Sequence, residues 1–231
     1  MKTIGMIGGM SWESTLEYYR IVNQEVKVRL GGLHSAKCLL YSVDFEEIER
    51  LQHENRWDAA GAVLGRAAQS LEKGGADFIL ICTNTMHKVA EEVKASVSIP
   101  LLHLADATAE VIKEKGLKKI ALLGTRFTME EDFYKGRLVD SYDLEVLIPN
   151  ASEMDAIHQV IYEELCLGTI NSESRKKYLD VIDRLQSEGA EGVILGCTEI
   201  GLLVEQEDTD VPLFDTTEIH ARAAVDFALA N

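Results

Sequence analysis

Short aliphatic and β-branched runs alternate along this chain with longer stretches in which apolar residues return every three or four positions. The short runs are Thr3 to Ile7, Lys37 to Val43, Asp77 to Ile81, Leu101 to Leu104, Ile120 to Leu123, Glu145 to Ile148, Gly192 to Leu195 and Leu213 to Asp215. The periodic stretches include Trp57 to Lys73, Met86 to Ser96, Ala105 to Lys115, Met154 to Leu167 and Ser172 to Gly189. Apolar runs bounded by turn residues read as strands, and the helical period reads as amphipathic helices. The alternation predicts an α/β fold of mostly parallel sheets flanked by helices, with ligands at the carboxyl ends of the strands.

The pattern also repeats. Residues 2–8 align with 118–124; Leu71, Gly75, Ala76 and Asp77 align with Leu185, Gly189, Ala190 and Glu191; Ile99-Pro100-Leu101 aligns with Val211-Pro212-Leu213. The offset drifts from 116 through 114 to 112 residues, so the matches keep their order. Such ordered self-similarity predicts an internal duplication. Two similar lobes follow, residues 1–104, completed by 215–231, and residues 105–214. The active site is expected in the cleft between them, where small-ligand pockets concentrate.

Composition narrows the partner. The 231 residues carry 23 Lys and Arg against 39 Asp and Glu, a formal net charge of -16, with 46% apolar residues. That apolar content excludes a disordered chain, and the acidic excess argues against nucleic acid and anionic membrane surfaces. A small-molecule substrate, held by local groups, is the expected partner. No run is long and apolar enough for a membrane span, and the N-terminus lacks the zones of a signal peptide, so a cytoplasmic location is expected. Cys38, Cys82, Cys166 and Cys197 are far apart with no Cys-x-x-Cys, which favours reduced thiols over a zinc site or a disulfide framework.

The duplication assigns the chemistry. At the 114-residue offset Cys197, in Gly196-Cys197-Thr198-Glu199, falls on Thr83, in Cys82-Thr83-Asn84-Thr85, whereas Cys82 falls on Gly196. Both positions follow an apolar strand and precede helical sequence, where backbone N–H groups bind anions and stabilise a thiolate. Side chains alternate along a strand, so if Thr83 faces the cleft, Cys82 is turned away.

The repeat, the Gly8-Gly9-Met10 start, Asn84-Thr85 with His87, and Gly196-Cys197-Thr198-Glu199 together resemble the cofactor-independent aspartate/glutamate racemases over essentially the whole chain. Glu199, where glutamate racemases usually carry His, places the sequence nearer the aspartate racemase branch. The resemblance implies a two-base mechanism in which two thiols face opposite sides of the substrate Cα, with no metal or pyridoxal cofactor, and a homodimer. An ordinary thiol is roughly a tenth ionised near pH 7.5, and a helix N-terminus is expected to lower its pKa further. The sequence departs from the family at the first base, where Thr83 replaces the usual cysteine. Ionising an aliphatic hydroxyl at pH 7.5 costs on the order of 11 kcal/mol, so Thr83 is a proton donor or relay and a poor base. Cys197 is left as the competent base. In the family the second-half cysteine serves the L-isomer, so a preference for L-substrates is expected.

Other candidates follow from what the substrate needs. Asn84, Thr85, Thr125 and Thr198 are expected around the substrate carboxylate, with Glu199 beside them, because the Cα anion needs hydrogen-bond donors. Glu164 is a candidate acceptor for the ammonium, beside the alternative of an exposed helix glutamate. Gln52 either reaches the substrate or sits on a solvated helix face. The Gly8-Gly9-Met10 turn either approaches the ligand with its backbone or only connects a strand to a helix. His87 either transfers protons or bonds the loop. Arg126 is a candidate for a side-chain carboxylate or a surface residue, and Cys38, Cys82 and Cys166 read as packing residues. Substrates range from aspartate and glutamate to other α-amino acids. A maleate isomerase or hydantoin racemase of the same fold, and a non-catalytic bilobal amino-acid-binding protein, remain as alternatives.

Overall fold

A computed structural model describes residues 1–230. In chain order the elements are β1 (Ile4–Gly8), α1 (Trp12–Leu30), β2 (Cys38–Ser42), α2 (Phe45–His53), α3 (Trp57–Lys73), β3 (Phe78–Ile81), α4 (Ala90–Ala95), α5 (Leu104–Glu114), β4 (Lys119–Gly124), α6 (Arg126–Glu130), α7 (Lys135–Tyr142), β5 (Glu145–Leu147), α8 (Ala151–Glu163), α9 (Ser172–Ser187), β6 (Gly192–Gly196), α10 (Ile200–Leu203), β7 (Leu213–Asp215) and α11 (Thr216–Leu229). Two compact units form, one from Met1–Leu104 together with the segment from Thr217 onward, the other from Ala105–Thr216. The chain returns to the first unit at Thr217, where the sequence pattern suggested residue 215.

The first unit holds a parallel sheet in the order β2-β1-β3. Alternation along the strands sends Ile7, Ile79 and Ile81 against Ile48, Leu51 and Leu64 of α2 and α3. Ile4, Met6, Phe78, Leu80 and Cys82 point the other way, onto Tyr18 and Val22 of α1 and Ala221 and Val225 of α11. Between β1 and α1 the chain passes through Gly9 at φ +92, and a Cβ there would run into the Val43 carbonyl. Glycine permits both the left-handed turn and the close approach of the chain leaving β2.

The second unit holds a parallel sheet in the order β5-β4-β6-β7. Ala121, Leu123, Val193 and Leu195 face Ile157 and Ile161 of α8 and Tyr178, Ile182 and Leu185 of α9. A capping box of Asn150 and Glu153 starts α8, and Arg184 of α9 donates to Glu153 at 2.7 Å.

The two ladders are built alike. β1 pairs with β2 and β3 as β4 pairs with β5 and β6, and the bridge Ile79↔Leu101 corresponds to the β6–β7 pair Val193↔Leu213. Ile79 N–H reaches Pro100 O and Val193 N–H reaches Pro212 O, both at 2.9 Å. The carboxylates of Asp77 and Glu191 accept from the backbone of Thr3 at 2.6 Å and Lys119 at 2.9 Å.

Three expected elements are modified. Of Leu101 to Leu104 only Leu101 forms a bridge, because the Leu104 N–H turns to the His87 ring and opens α5. The helix expected over Met86 to Ser96 is a 3-10 turn, Thr85–Val89, followed by α4, with Val89 at φ -109, ψ 21 interrupting the helix. That expected over Met154 to Leu167 breaks at Glu164, at φ -123, ψ -66. The longest helix, α1, lay outside the stretches singled out by periodicity. Among the described residues no helix is long and apolar enough to cross a membrane.

Candidate active site

In the second unit β6 ends at Gly196, where a Cβ would come within 2.7 Å of Leu123 O, and the next residue is Cys197. The turn closes with Ile200 N–H on Cys197 O at 3.0 Å. Cys197 retains 8% exposure. Its Sγ donates to Glu199 Oε2 at 2.9 Å, and the Thr198 hydroxyl donates to the same oxygen at 2.8 Å. Both bonds lie in the buried interior of the unit.

This geometry reverses the expected electrostatics of the thiol. Burial, followed by the nearby Glu199 and Cys166, pushes Cys197 well above an ordinary thiol, although the Glu199 backbone N–H works in the opposite direction. The helix that follows, α10, has only 4 residues, and its N-terminal amides do not offset the loss of solvent. At rest near neutral pH the sulfur therefore carries its proton and offers it to Glu199. Glu199, expected beside the substrate carboxylate, is instead the acceptor for the thiol, and Thr198 is turned toward it.

Tyr178 lies close to this group. Burial raises its phenol well above the usual range, and Cys197, Glu164, Cys166 and Glu199 add to the rise. Its hydroxyl donates to Ile157 O at 3.1 Å. Glu164 accepts from the Ser174 hydroxyl at 2.9 Å through Oε1, while its Oε2 is buried and has no hydrogen-bond partner among the described residues. Ser174 and Tyr178 were missed from the sequence, although both are polar side chains one helical turn apart on the stripe that continues through Val181, Ile182 and Leu185. Thr125 caps α6, accepting from Thr128 N–H at 3.3 Å. Arg126 is engaged by Glu130 and Asp155.

In the first unit the ladder fixes the register. Cys82 N–H bonds Ile7 O at 2.9 Å, placing Cys82 opposite the end of β1 as Gly196 stands opposite Gly124. Thr83 then occupies the position of Cys197, and Thr85 that of Glu199. Thr83 is 9% exposed and Cys82 0%, the latter packed with Met6, Leu80 and Tyr18. Burial alone drives the Cys82 thiol far upward. Asn84 and Thr85 are buried. Met10 joins Met86 in the core on the α2 and α3 side. Gln52 is buried rather than solvated, because its amide turns inward and donates to Met86 Sδ at 3.0 Å. His87 holds the Thr83 carbonyl through Nδ1 at 2.8 Å.

The structure thus gathers Cys197, Thr198 and Glu199 with Glu164 near Tyr178 in one unit. In the other, Met10 and Gln52 gather near Met86, and Thr83 is tied to His87. Among the described residues no group of three His, Cys, Asp or Glu side chains is arranged to hold a metal ion.

Comparison with known proteins matches residues 7–224 to the profile of a family described as Asp/Glu/Hydantoin racemase. A broad specificity amino-acid racemase, RacX, from Bacillus subtilis (strain 168) is 26% identical over 239 aligned residues, covering 98% of each chain. A crystal structure from Yersinia pestis named for the Asp/Glu racemases is 56% identical with a TM-score of 0.93, covering 100% of both chains. An aspartate racemase homologue from Pyrococcus horikoshii OT3 is 37% identical, TM-score 0.84, again over 100% of both.

Proposed function

The chain belongs to the Asp/Glu/hydantoin racemase family, a family of isomerases, and from that footing we propose that it racemises amino acids without a cofactor, with Cys197 as the Cα base and Thr83 as the group serving the opposite face. The observation that carries this reading is the pairing of Cys197 with Glu199 at the end of β6, against Thr83 and Thr85 at the equivalent end of β3. Aspartate and glutamate are the first substrates to test. Other α-amino acids follow on the precedent of the broad specificity relative.

The chemistry runs as a proton transfer from the L-isomer. The Cys197 thiol passes its proton to Glu199, and the sulfur then takes the Cα proton, so the charge moves from the carboxylate to the substrate. Asn84, Thr85 and Thr125 are the proposed donors to the substrate carboxylate and the anion, and Glu164 the proposed acceptor for the ammonium. Met10 and Gln52 flank the substrate. Protonation by Thr83 on the other face, with a proton drawn in turn from solvent, gives the D-isomer. Racemisation has an equilibrium constant of one, so a slow Thr83 step limits inversion in both directions. Exchange from the L-isomer through Cys197 avoids that step.

Incubation of each enantiomer in heavy water tests the reading. Cα deuteration of L-aspartate or L-glutamate is expected to outrun both inversion and deuteration of the D-isomer; equal rates for L and D would overturn it. Cys197→Ala is expected to abolish exchange, whereas a binding protein would keep its ligand affinity. The same reading places the protein in the cytoplasm as a homodimer. We propose the exposed Trp12, Leu16 and Tyr19 stripe of α1 as the surface that meets the second copy. Leu16→Glu is expected to halve the mass seen by light scattering.

A further inference from the structure

We infer that His87 is a positioning residue for Thr83, fixing the Thr83 turn to the segment where the chain leaves the first unit and thereby setting the hydroxyl side of proton transfer without touching substrate. The inference rests on the proposed reading that Thr83 serves the substrate Cα.

The hydrogen bonds determine the state of the ring. The Leu104 backbone N–H lies 3.2 Å from His87 Nε2, and an amide can only donate, so Nε2 is bare. The proton then resides on Nδ1, which donates to Thr83 O at 2.8 Å. The imidazole is neutral, with its tautomer fixed and both nitrogens engaged. It has neither a free lone pair nor a spare proton for a substrate.

Neighbouring rings hold it in place. His103 lies 4.5 Å and His220 5.9 Å from His87 between ring centroids. His220 donates from Nε2 to Leu102 O and accepts the Tyr18 hydroxyl at Nδ1, both at 2.9 Å. Thus α1, α11 and residues 102–104 all brace the ring that carries Thr83.

The second unit is built differently at the matching place. The position equivalent to His87 is Gly201, where a Cβ would collide with the Asp215 carboxylate. Cys197 is oriented by a side chain of its own turn, Glu199. Thr83 has Thr85 at that position and is held instead through its backbone carbonyl by a residue one turn further on.

Two isosteric substitutions separate the bonds. In His87→Asn the amide nitrogen replaces Nδ1 and keeps the Thr83 bond; in His87→Gln the amide oxygen replaces Nε2 and keeps only the Leu104 bond. With L-aspartate and L-glutamate in heavy water, His87→Asn is expected to stay within about threefold of wild type in both retention-side deuteration and inversion. His87→Gln is expected to lose about tenfold in inversion while deuteration of the L-isomer stays within about threefold. Equal losses of both rates in His87→Gln, or the same ratio in both variants, would overturn the positioning role while leaving the racemase reading intact. A wild-type protein that exchanges neither enantiomer ends the racemase reading and this inference with it. Nitrogen NMR of the wild-type ring provides a check independent of variant folding: an Nδ1–H tautomer is expected, and an Nε2–H tautomer overturns the assignment.

Discussion

Cys197 Sγ and Glu199 Oε2 lie 2.9 Å apart, donor and acceptor two residues from each other on one tight turn. Glu199 has two effects: it receives the thiol proton, and its charge opposes a thiolate. Glu199→Gln removes both. We expect about a 100-fold loss in deuteration of L-aspartate at neutral pH, because the internal acceptor is gone. The deficit should shrink as pH rises, since without the neighbouring charge the thiol ionises at lower pH than in wild type. Iodoacetamide labelling of position 197 against pH would show the same downward displacement of the midpoint.

Thr83→Cys supplies a sulfur at the end of β3. Inversion is expected to rise by at least about tenfold, with deuteration of D- and L-isomers becoming comparable, because a thiol ionises far more readily than a hydroxyl. The gain should stop short of the Cys197 side, because Thr85 stands where Glu199 does. Chiral chromatography of both enantiomers over time gives the measurement; unchanged inversion would place position 83 outside the reaction.

The Oε2 of Glu164, without a hydrogen-bond partner among the described residues, provides a binding test. Glu164→Gln keeps the shape and the Ser174 bond but removes the charge that meets an ammonium. KM for the amino acids is expected to rise about tenfold. Inhibition by a dicarboxylate lacking the amino group should be unaffected, which separates ammonium recognition from general damage to the pocket.

His220 makes the fold sensitive to acid. Burial pushes its pKa down from 6.5 to about 3. On acidification the unfolded chain takes up this proton first, so the stability contributed by His220 is complete above pH 6.5 and is lost as pH falls toward 3. His220→Gln, which retains a donor for Leu102 O, is expected to cost about 1 kcal/mol at neutral pH through the lost Tyr18 bond. Its gap to wild type should narrow over that acid range, as read from urea midpoints.

Much of the architecture was legible because strands and helices bury different periodicities. The drifting offset placed Thr83 against Cys197 and Cys82 against Gly196, and the β1–β3 and β4–β6 registers match that alignment. The state of the thiol was not legible. It depends on desolvation by α8 and α9 and on a carboxylate whose rotamer no local pattern dictates. Gln52 read as ambiguous because an amide on a helix has no marker for an inward turn toward Met86. The braces on His87 come from residues as distant as His220, so only tertiary packing reveals them.

The matched ladders have a stereochemical consequence. If each copy of the strand-to-helix turn serves one face of the substrate, the sense of the reaction is set by which copy carries sulfur. Thr83→Cys combined with Cys197→Thr would then move the competent base to the mirror-image side. Its preference should pass from L- to D-amino acids, leaving the fold untouched.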